Sequence, residues 1–184
     1  MKQLIRQVCD ILASGEDLVM ATISVKNGSA PRMAGARMIV RQDGSIVGTI
    51  GGGKVEAVAI EESVQAFAHK SSVRRFFDLT NADAAGTDMI CGGTMEIFLD
   101  YIEAEQSNFT VFSTLLSLLD SGRRVSFVSK LNGQVNGGSR FIIADSCKAN
   151  YCRAPEAILS AVKKLRLSSS APSVITHDNE DYLV

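Results

Sequence analysis

Neither sign of charge dominates this chain: 19 lysines and arginines stand against 20 aspartates and glutamates, for a formal net charge of -1. A global field able to hold DNA or RNA is therefore lacking, and any basic site has to be local. No uninterrupted apolar run of about 18 residues occurs, and no charged amino-terminal stretch leads into an apolar one, so neither a membrane span nor a secretion signal is expected. The expectation is a cytoplasmic protein with no nucleic-acid or membrane partner. The four cysteines, Cys9, Cys91, Cys147 and Cys152, include no C-x-x-C pair, and His69 and His177 lie far from them in sequence, which leaves a structural zinc site without a ligand set. In a reducing compartment they stand as thiols. Cys147 and Cys152 are flanked by Lys148 and Arg153 but have no further ligand near, and read as incidental. Internal repeats and low-complexity tracts are absent as well.

What is present suits one domain, or one domain and an appendage: 46% of the 184 residues are hydrophobic, enough for a packed core. Leu4, Ile5, Val8, Ile11 and Leu12 recur at helical spacing before Gly15, which predicts a helix over 2–14 with Cys9 on its apolar stripe. Residues 18–26 read as a strand that ends in the turn chemistry of Asn27-Gly28-Ser29-Ala30-Pro31. Gln42-Asp43-Gly44 between 36–41 and 45–50 predicts an antiparallel hairpin, because Asp-Gly supplies the positive φ of a tight turn. A helix over 54–69 follows, with a broad and mostly buried apolar face.

Strands are then expected over 73–79 and 94–101, with the small and polar stretch 81–93 as a loop between them. The pattern restarts beyond residue 106, with helices near 111–119 and 155–165 and strands at 125–131 and 140–144. A Ser-rich linker over 167–172 and an apolar strand-like stretch over 181–184 close the sequence. The fold class implied is α+β, with a mixed, largely antiparallel sheet, packed helices and no Rossmann domain in this chain. The organisation expected is a first domain over 1–104 and a small α/β extension over 105–184.

Residues 48–56, Gly-Thr-Ile-Gly-Gly-Gly-Lys-Val-Glu, miss the phosphate-binding pattern G-x-x-x-x-G-K-[ST] by one residue. Val55 cannot ligate magnesium, and the preceding strand is the second arm of a hairpin instead of the start of a βαβ unit. The dinucleotide fingerprint fails too, since Glu56 stands where its third glycine belongs. Two readings stay open. Gly51, Gly52 and Gly53 present backbone amides at a helix start, where the dipole favours an anion, or they permit tight packing and positive φ. Arg32 and Arg37, beside Ser29, either offer bidentate contacts to phosphate or lie on a solvated loop. Cys91, followed by Gly92 and Gly93, is either a soft metal ligand or sulfur nucleophile, or an incidental loop thiol.

Gly28-Ser29-Ala30-Pro31-Arg32, Gly35-Ala36-Arg37-Met38, Asp43-Gly44, Gly48 to Gly53 with Val55-Glu56, and Cys91-Gly92-Gly93 follow one another over residues 28–93. In that order they resemble the amino-terminal region of the XdhC/CoxI family of molybdenum cofactor maturation proteins. The resemblance is strong over 1–102 and thinner beyond. It implies a chaperone without turnover of its own. Such a protein binds molybdenum cofactor, as molybdopterin or its nucleotide form, works with a cysteine desulfurase in sulfuration, and serves an apo molybdenum hydroxylase of the xanthine dehydrogenase type.

The same resemblance implies cofactor contacts at Ser29, Arg32, Arg37, Gly51, Gly52, Gly53, Glu56, Cys91, Gly92 and Gly93, with Cys91 meeting molybdenum or sulfur; no catalytic residue is implied. Lys54 stands where some members carry cysteine, so a mechanism using a thiol there does not apply. Many relatives continue into a Rossmann-like domain, so this chain is expected to be a fragment or one half of a split protein with a separate Rossmann-domain chain, and a homodimer. The competing expectation is half of a nucleotide-dependent oxidoreductase or transferase completed by that missing domain. A third is a domain for docking or dimerisation alone.

Overall fold

The computed structural model describes residues 1–28, 32–78, 93–131, 140–144, 154–168 and 172–184. It begins with helix α1, Lys2–Ala13, in which Ile5, Val8, Cys9, Ile11 and Leu12 are buried. Steps of three and four residues place these side chains on one face, and Gly15 ends the helix region at φ +79. Strand β1, Leu18–Gly28, leads to the hairpin of β2, Arg37–Arg41, and β3, Ile46–Gly48. Helix α2, Gly53–His69, then precedes β4, Val73–Asp78, and β5, Gly93–Ile102. The five strands form one sheet in the order β3-β2-β1-β5-β4, antiparallel at every pairing.

Strand β1 sits at the centre and is buried on both faces from Leu18 to Ser24. Because successive side chains point to opposite faces of a strand, Val19, Ala21 and Ile23 join one apolar cluster with Val55, Ala59 and Ala66 of α2. Leu18 and Met20 join another with α1. That second cluster also holds Val111, Phe112 and Leu115 of helix α3, Gln106–Asp120. The sheet is thus covered by α2 on one face and by α1 and α3 on the other.

A second antiparallel sheet has the order β7-β6-β9-β8, from β6 (Val125–Lys130), β7 (Arg140–Ala144), β8 (Val174–His177) and β9 (Glu180–Leu183). Helix α4, Glu156–Ser168, packs Ile158 and Val162 against Val128, Ile143 and Tyr182 on one face of it. Phe127 and Ile142 belong instead to the cluster of α1 and α3. The boundary expected near residue 104 falls between β5 and α3, and this shared apolar cluster crosses it.

Three features differ from the sequence-based expectation. Helix α2 buries only Val55, Ala59, Ser63 and Ala66, while Val64 is 60% exposed. One sheet face covers one stripe of a helix, so Ala57 and Val64 of the second apolar row face outward, while Ile60 and Phe67 still pack against the cluster. Helix α4 continues through Leu167 to Ser168, into the stretch expected to be a linker. The hairpin of β8 and β9 turns at Asp178 and Asn179, with φ +50 and +60, the paired positive values of a type I′ turn. Among the described residues, no helix is long and apolar enough to cross a membrane.

The end of β3 is sterically exact. Gly48 has φ +88, and a Cβ there would lie 2.8 Å from the Arg37 carbonyl oxygen and 3.2 Å from Leu4 Cδ1. Gly48→Ala is therefore expected to lower stability by roughly 1–3 kcal/mol through backbone strain and this clash. Urea denaturation measures it, and an unchanged midpoint would contradict the packing described.

Candidate functional site

Strand register gathers the sequence motifs at one end of the five-stranded sheet. Thr22 pairs with Arg37, Met38 with Gly48, Gly28 with Gly93, and Asp78 with Thr94. The start of β2, the end of β3, the end of β1, the start of β5 and the end of β4 therefore face the same way. β1 and β5 run on past the level of Arg37. Of the residues expected to contact a ligand, Ser29, Cys91 and Gly92 lie outside the described residues, whereas Gly93 opens β5 beside Gly28.

The glycine loop is built around an anion belonging to the chain itself. Gly51, Gly52 and Gly53 have φ of +133, +76 and +57, conformations that L side chains resist. They turn the backbone so that amides converge on Glu56. One oxygen, Glu56 Oε1, accepts from the N–H groups of Ile50 at 3.0 Å, Gly51 at 3.3 Å and Gly52 at 2.8 Å. The Thr49 hydroxyl donates to the same oxygen at 2.5 Å.

This arrangement is a relative of the capping box, in which a first-turn carboxylate reaches back to the amides ahead of the helix. The positive end of the helix dipole supports it. Partial burial alone pushes the Glu56 carboxyl up, but hydrogen bonds from Thr49, Gly52, Ile50 and Gly51 together outweigh it and hold the pKa below the usual value. The amides expected to stand open to a ligand phosphate are thus donated, at Gly51 and Gly52, to an internal carboxylate. Gly53 begins α2, and Lys54 is exposed at its first turn.

The arginines lie on the next stretch of surface. A groove of about 770 Å³ is lined by Arg6, Arg32, Arg37, Gly35, Gly48 and Thr49 among others. Arg32 is exposed. Arg37 is more deeply placed: its Nη1 lies 3.1 Å from Met1 Sδ, and its Nε is buried without a hydrogen-bond partner. Burial pushes the pKa of Arg37 down to about 10, against an opposing pull from the charge of Asp100. No carboxylate forms an ion pair with Arg37 among the described residues. Thr49 both lines the groove and bonds Glu56, so the amide nest and the arginine groove share a wall.

The chemistry available here is anion recognition. Guanidinium groups and a hydroxyl surround open space, and an unpaired buried N–H makes an oxyanion more favourable than solvent alone. No group of three or more His, Cys, Asp or Glu side chains able to hold a metal ion occurs among the described residues. Cys9, which burial holds in the thiol form by raising its pKa, is packed on α1 away from this end.

The family model described as XdhC and CoxI family matches residues 11–77. Over that segment the chain is similar to the XdhC and CoxI family. The Escherichia coli protein YqeB, itself uncharacterized, is 50% identical over 84 residues, covering 44% of this chain and 15% of its own. The molybdenum cofactor insertion chaperone PaoD of the same organism is 38% identical over 64 residues, 35% of this chain and 20% of its own. The chain thus spans a fifth or less of these curated relatives' length by alignment. A xanthine dehydrogenase from Bacillus halodurans superposes with a TM-score of 0.61 at 22% identity, over 80% of this chain and 46% of its own, which shows a shared fold.

The matched segment contains Arg32, Arg37, the glycine loop and Glu56, and it ends at the last residues of β4, before Cys91. Within it, Thr49 and the role of Glu56 as the nest's own anion escaped the sequence reading. The available signal was Thr49 two residues before Gly51, the spacing at which a hydroxyl bonds a backbone amide; the structure has that contact at 3.2 Å. Arg6, outside the matched segment, was hidden as one charge on an amphipathic helix.

Proposed function

We propose that this chain handles molybdenum cofactor as cargo, as a chaperone in the maturation of a molybdenum hydroxylase of the xanthine dehydrogenase type. The observation that carries the reading is Arg37: a half-buried guanidinium whose Nε is buried without a hydrogen-bond partner and which has no carboxylate ion pair among the described residues, in a groove shared with Arg32 and the Thr49 end of the glycine loop. The match of residues 11–77 to the XdhC and CoxI family model, and similarity to a protein named as a molybdenum cofactor insertion chaperone, support molybdenum cofactor as the cargo.

In this reading Arg32 and Arg37 take the cofactor's phosphate, in its molybdopterin or its nucleotide form. Gly51, Gly52 and Gly53 with Glu56 keep the loop in shape beside it. Ser29 adds a hydroxyl from the sequence ahead of Arg32, and Cys91, followed by Gly92 and Gly93, offers the soft sulfur contact to molybdenum or to its sulfido ligand. Sulfuration with a cysteine desulfurase, delivery to the apo hydroxylase, a homodimeric state and a separate Rossmann-domain chain complete the proposal.

Loading the purified chain with molybdenum cofactor and measuring retained molybdenum and pterin fluorescence tests it. The parent chain is expected to retain the cofactor. Arg32→Gln with Arg37→Gln should lose about tenfold or more in affinity, as expected when charge-assisted hydrogen bonds worth about 1.5–3 kcal/mol disappear. Cys91→Ser should retain pterin but release metal more readily. Equal and negligible retention by all three proteins would overturn the assignment.

A further inference from the structure

The groove has a third arginine, carried by a different element. Arg6 of α1 lines it together with Arg32 and Arg37, and among the described residues no aspartate or glutamate does so. Helix α1 reaches the groove because Leu4 packs at the end of β3, where a Cβ on Gly48 would stand 3.2 Å from Leu4 Cδ1. Residues three and four apart share a helix face. Gln3, Arg6 and Gln7 thus form a polar stripe of α1 bordering the same space as Arg32 and Arg37.

Arg6 already has an acceptor, but a poor one. Its Nη2 lies 3.4 Å from Oδ2 of Asp120, the last residue of α3, and 57% of the Arg6 side chain is exposed. A charge-assisted hydrogen bond of full strength measures about 2.7–2.9 Å, and a long, exposed ion pair contributes little. Asp120 does not depend on it, because its other oxygen, Oδ1, accepts from Lys2 Nζ at 3.0 Å. The hydrogen bond from Lys2 is the main cause that holds the Asp120 carboxyl below its usual pKa, and the charge and hydrogen bond of Arg6 add less. Asp120 borders the depression between α1 and α3, beside Cys9 and Phe109, and not the groove.

We propose that Arg6 is a third anion ligand of the groove, held in reserve by Asp120 and transferred to a bound phosphate. The inference rests on the reading of the groove as the phosphate site, and adds to it a residue that precedes the matched segment 11–77. A phosphate monoester carries about 1.5–2 negative charges near neutral pH and three acceptor oxygens. Asp120 offers one charge, which Lys2 already neutralises in part. Arg6 therefore exchanges one exposed carboxylate oxygen for phosphate oxygens that suit its planar fork. Lys2 keeps Asp120 paired, so the exchange strands no carboxylate.

Titration of the full chain with inorganic phosphate at low ionic strength, followed by phosphorus NMR, tests this without molybdenum. The parent chain is expected to bind saturably. Arg6→Gln should bind about threefold or more weaker, a smaller loss than the tenfold of Arg32→Gln with Arg37→Gln, because exposure screens Arg6. Arg6→Lys keeps the charge without the fork and should fall between Arg6→Gln and the parent. Asp120→Asn removes the competing acceptor and should bind about twofold tighter, whereas the same change in the Arg6→Gln background should alter nothing. Circular dichroism reports that each variant folds.

A gain from Asp120→Asn that is equal in both backgrounds would reduce Asp120 to a distant charge and overturn the transfer. Parent-like binding by Arg6→Gln, with loss in Arg32→Gln with Arg37→Gln, would overturn the third ligand and leave the phosphate reading of the groove intact. Absence of saturable binding by the parent chain would overturn both. A chain that shows the expected coupling of Arg6 with Asp120 but retains no molybdenum cofactor would refute the cofactor reading alone.

Discussion

Arg140→Leu is expected to destabilise the fold by about 3–5 kcal/mol, because it strands a buried carboxylate. Arg140 and Asp100 have side chains only 2% and 3% exposed. The Arg140 fork meets both Asp100 oxygens, at 3.1 and 2.5 Å, and also donates to Asn108 Oδ1 at 3.0 Å and the Tyr101 carbonyl at 2.7 Å. Arg140 begins β7, while its partners belong to β5 and α3, so the cluster ties the second sheet to the first. Among the described residues, removing the arginine leaves Asp100 with the Ser72 hydroxyl, at 3.2 Å, as its remaining side-chain donor.

The pair itself is a weaker source of stability than the loss suggests, since desolvating two charges offsets most of their attraction. The double variant Arg140→Leu with Asp100→Leu is therefore expected to recover much of the deficit. Urea denaturation of the parent chain, both single variants and the double variant gives the coupling energy directly. Single-variant losses below about 1 kcal/mol would show that the clasp does not hold the two sheets together.

Arg140 also shows what the sequence conceals. Its partner Asp100 lies forty positions away, and no local pattern marks a charge in a strand as buried and paired. By contrast, α1, the hairpin of β2 and β3, and the strands β4 to β7 were legible because each rests on local signals: an apolar stripe, an Asp-Gly turn, a β-rich run. The hairpin of β8 and β9 was missed because its Asp178-Asn179 turn lacks the glycine that usually announces a type I′ turn. The outward face of α2 was misjudged because apolar spacing shows which residues share a face, but not whether anything lies opposite.

The candidate site was legible as a set of residue types. Glycines at a helix start and nearby arginines pointed to anion chemistry, and the structure brings Arg32 and Arg37 to a groove that reaches Thr49. What spacing alone did not reveal is that the glycine amides already have an anion. Glu56 stands four residues beyond Gly52, and whether such a carboxylate turns back or faces solvent depends on the positive φ of three consecutive glycines.

Glu56→Ala is expected to cost about 1.5–3 kcal/mol, the range for charged hydrogen bonds, because the Ile50, Gly51 and Gly52 amides lose their shared acceptor. Glu56→Gln keeps an oxygen but no charge, and should lose less. The pH dependence follows from the lowered carboxyl pKa: the folded chain binds this proton less readily than the unfolded one. The stabilisation is therefore present above the unfolded carboxyl value of about 4.3 and is lost as pH falls through the folded value. Parent and Glu56→Gln proteins should differ most near neutral pH and converge in acid, and curves that stay parallel would remove the charged carboxylate from the account.

A small anion offers a sharper test, since Glu56→Ala vacates a pocket shaped for one carboxylate oxygen. If formate binds there with a Kd of about 10 mM, about 100 mM returns roughly 1.4 kcal/mol to the variant and nothing to the parent chain. The same variant separates two uses of the loop. Because Thr49 lines the groove and loses its partner with Glu56, cofactor retention is expected to fall in Glu56→Ala and to return with formate. Retention that rises instead would mean that the cargo's phosphate competes with Glu56 for the amides, which would make the carboxylate a gate on the site and not its support.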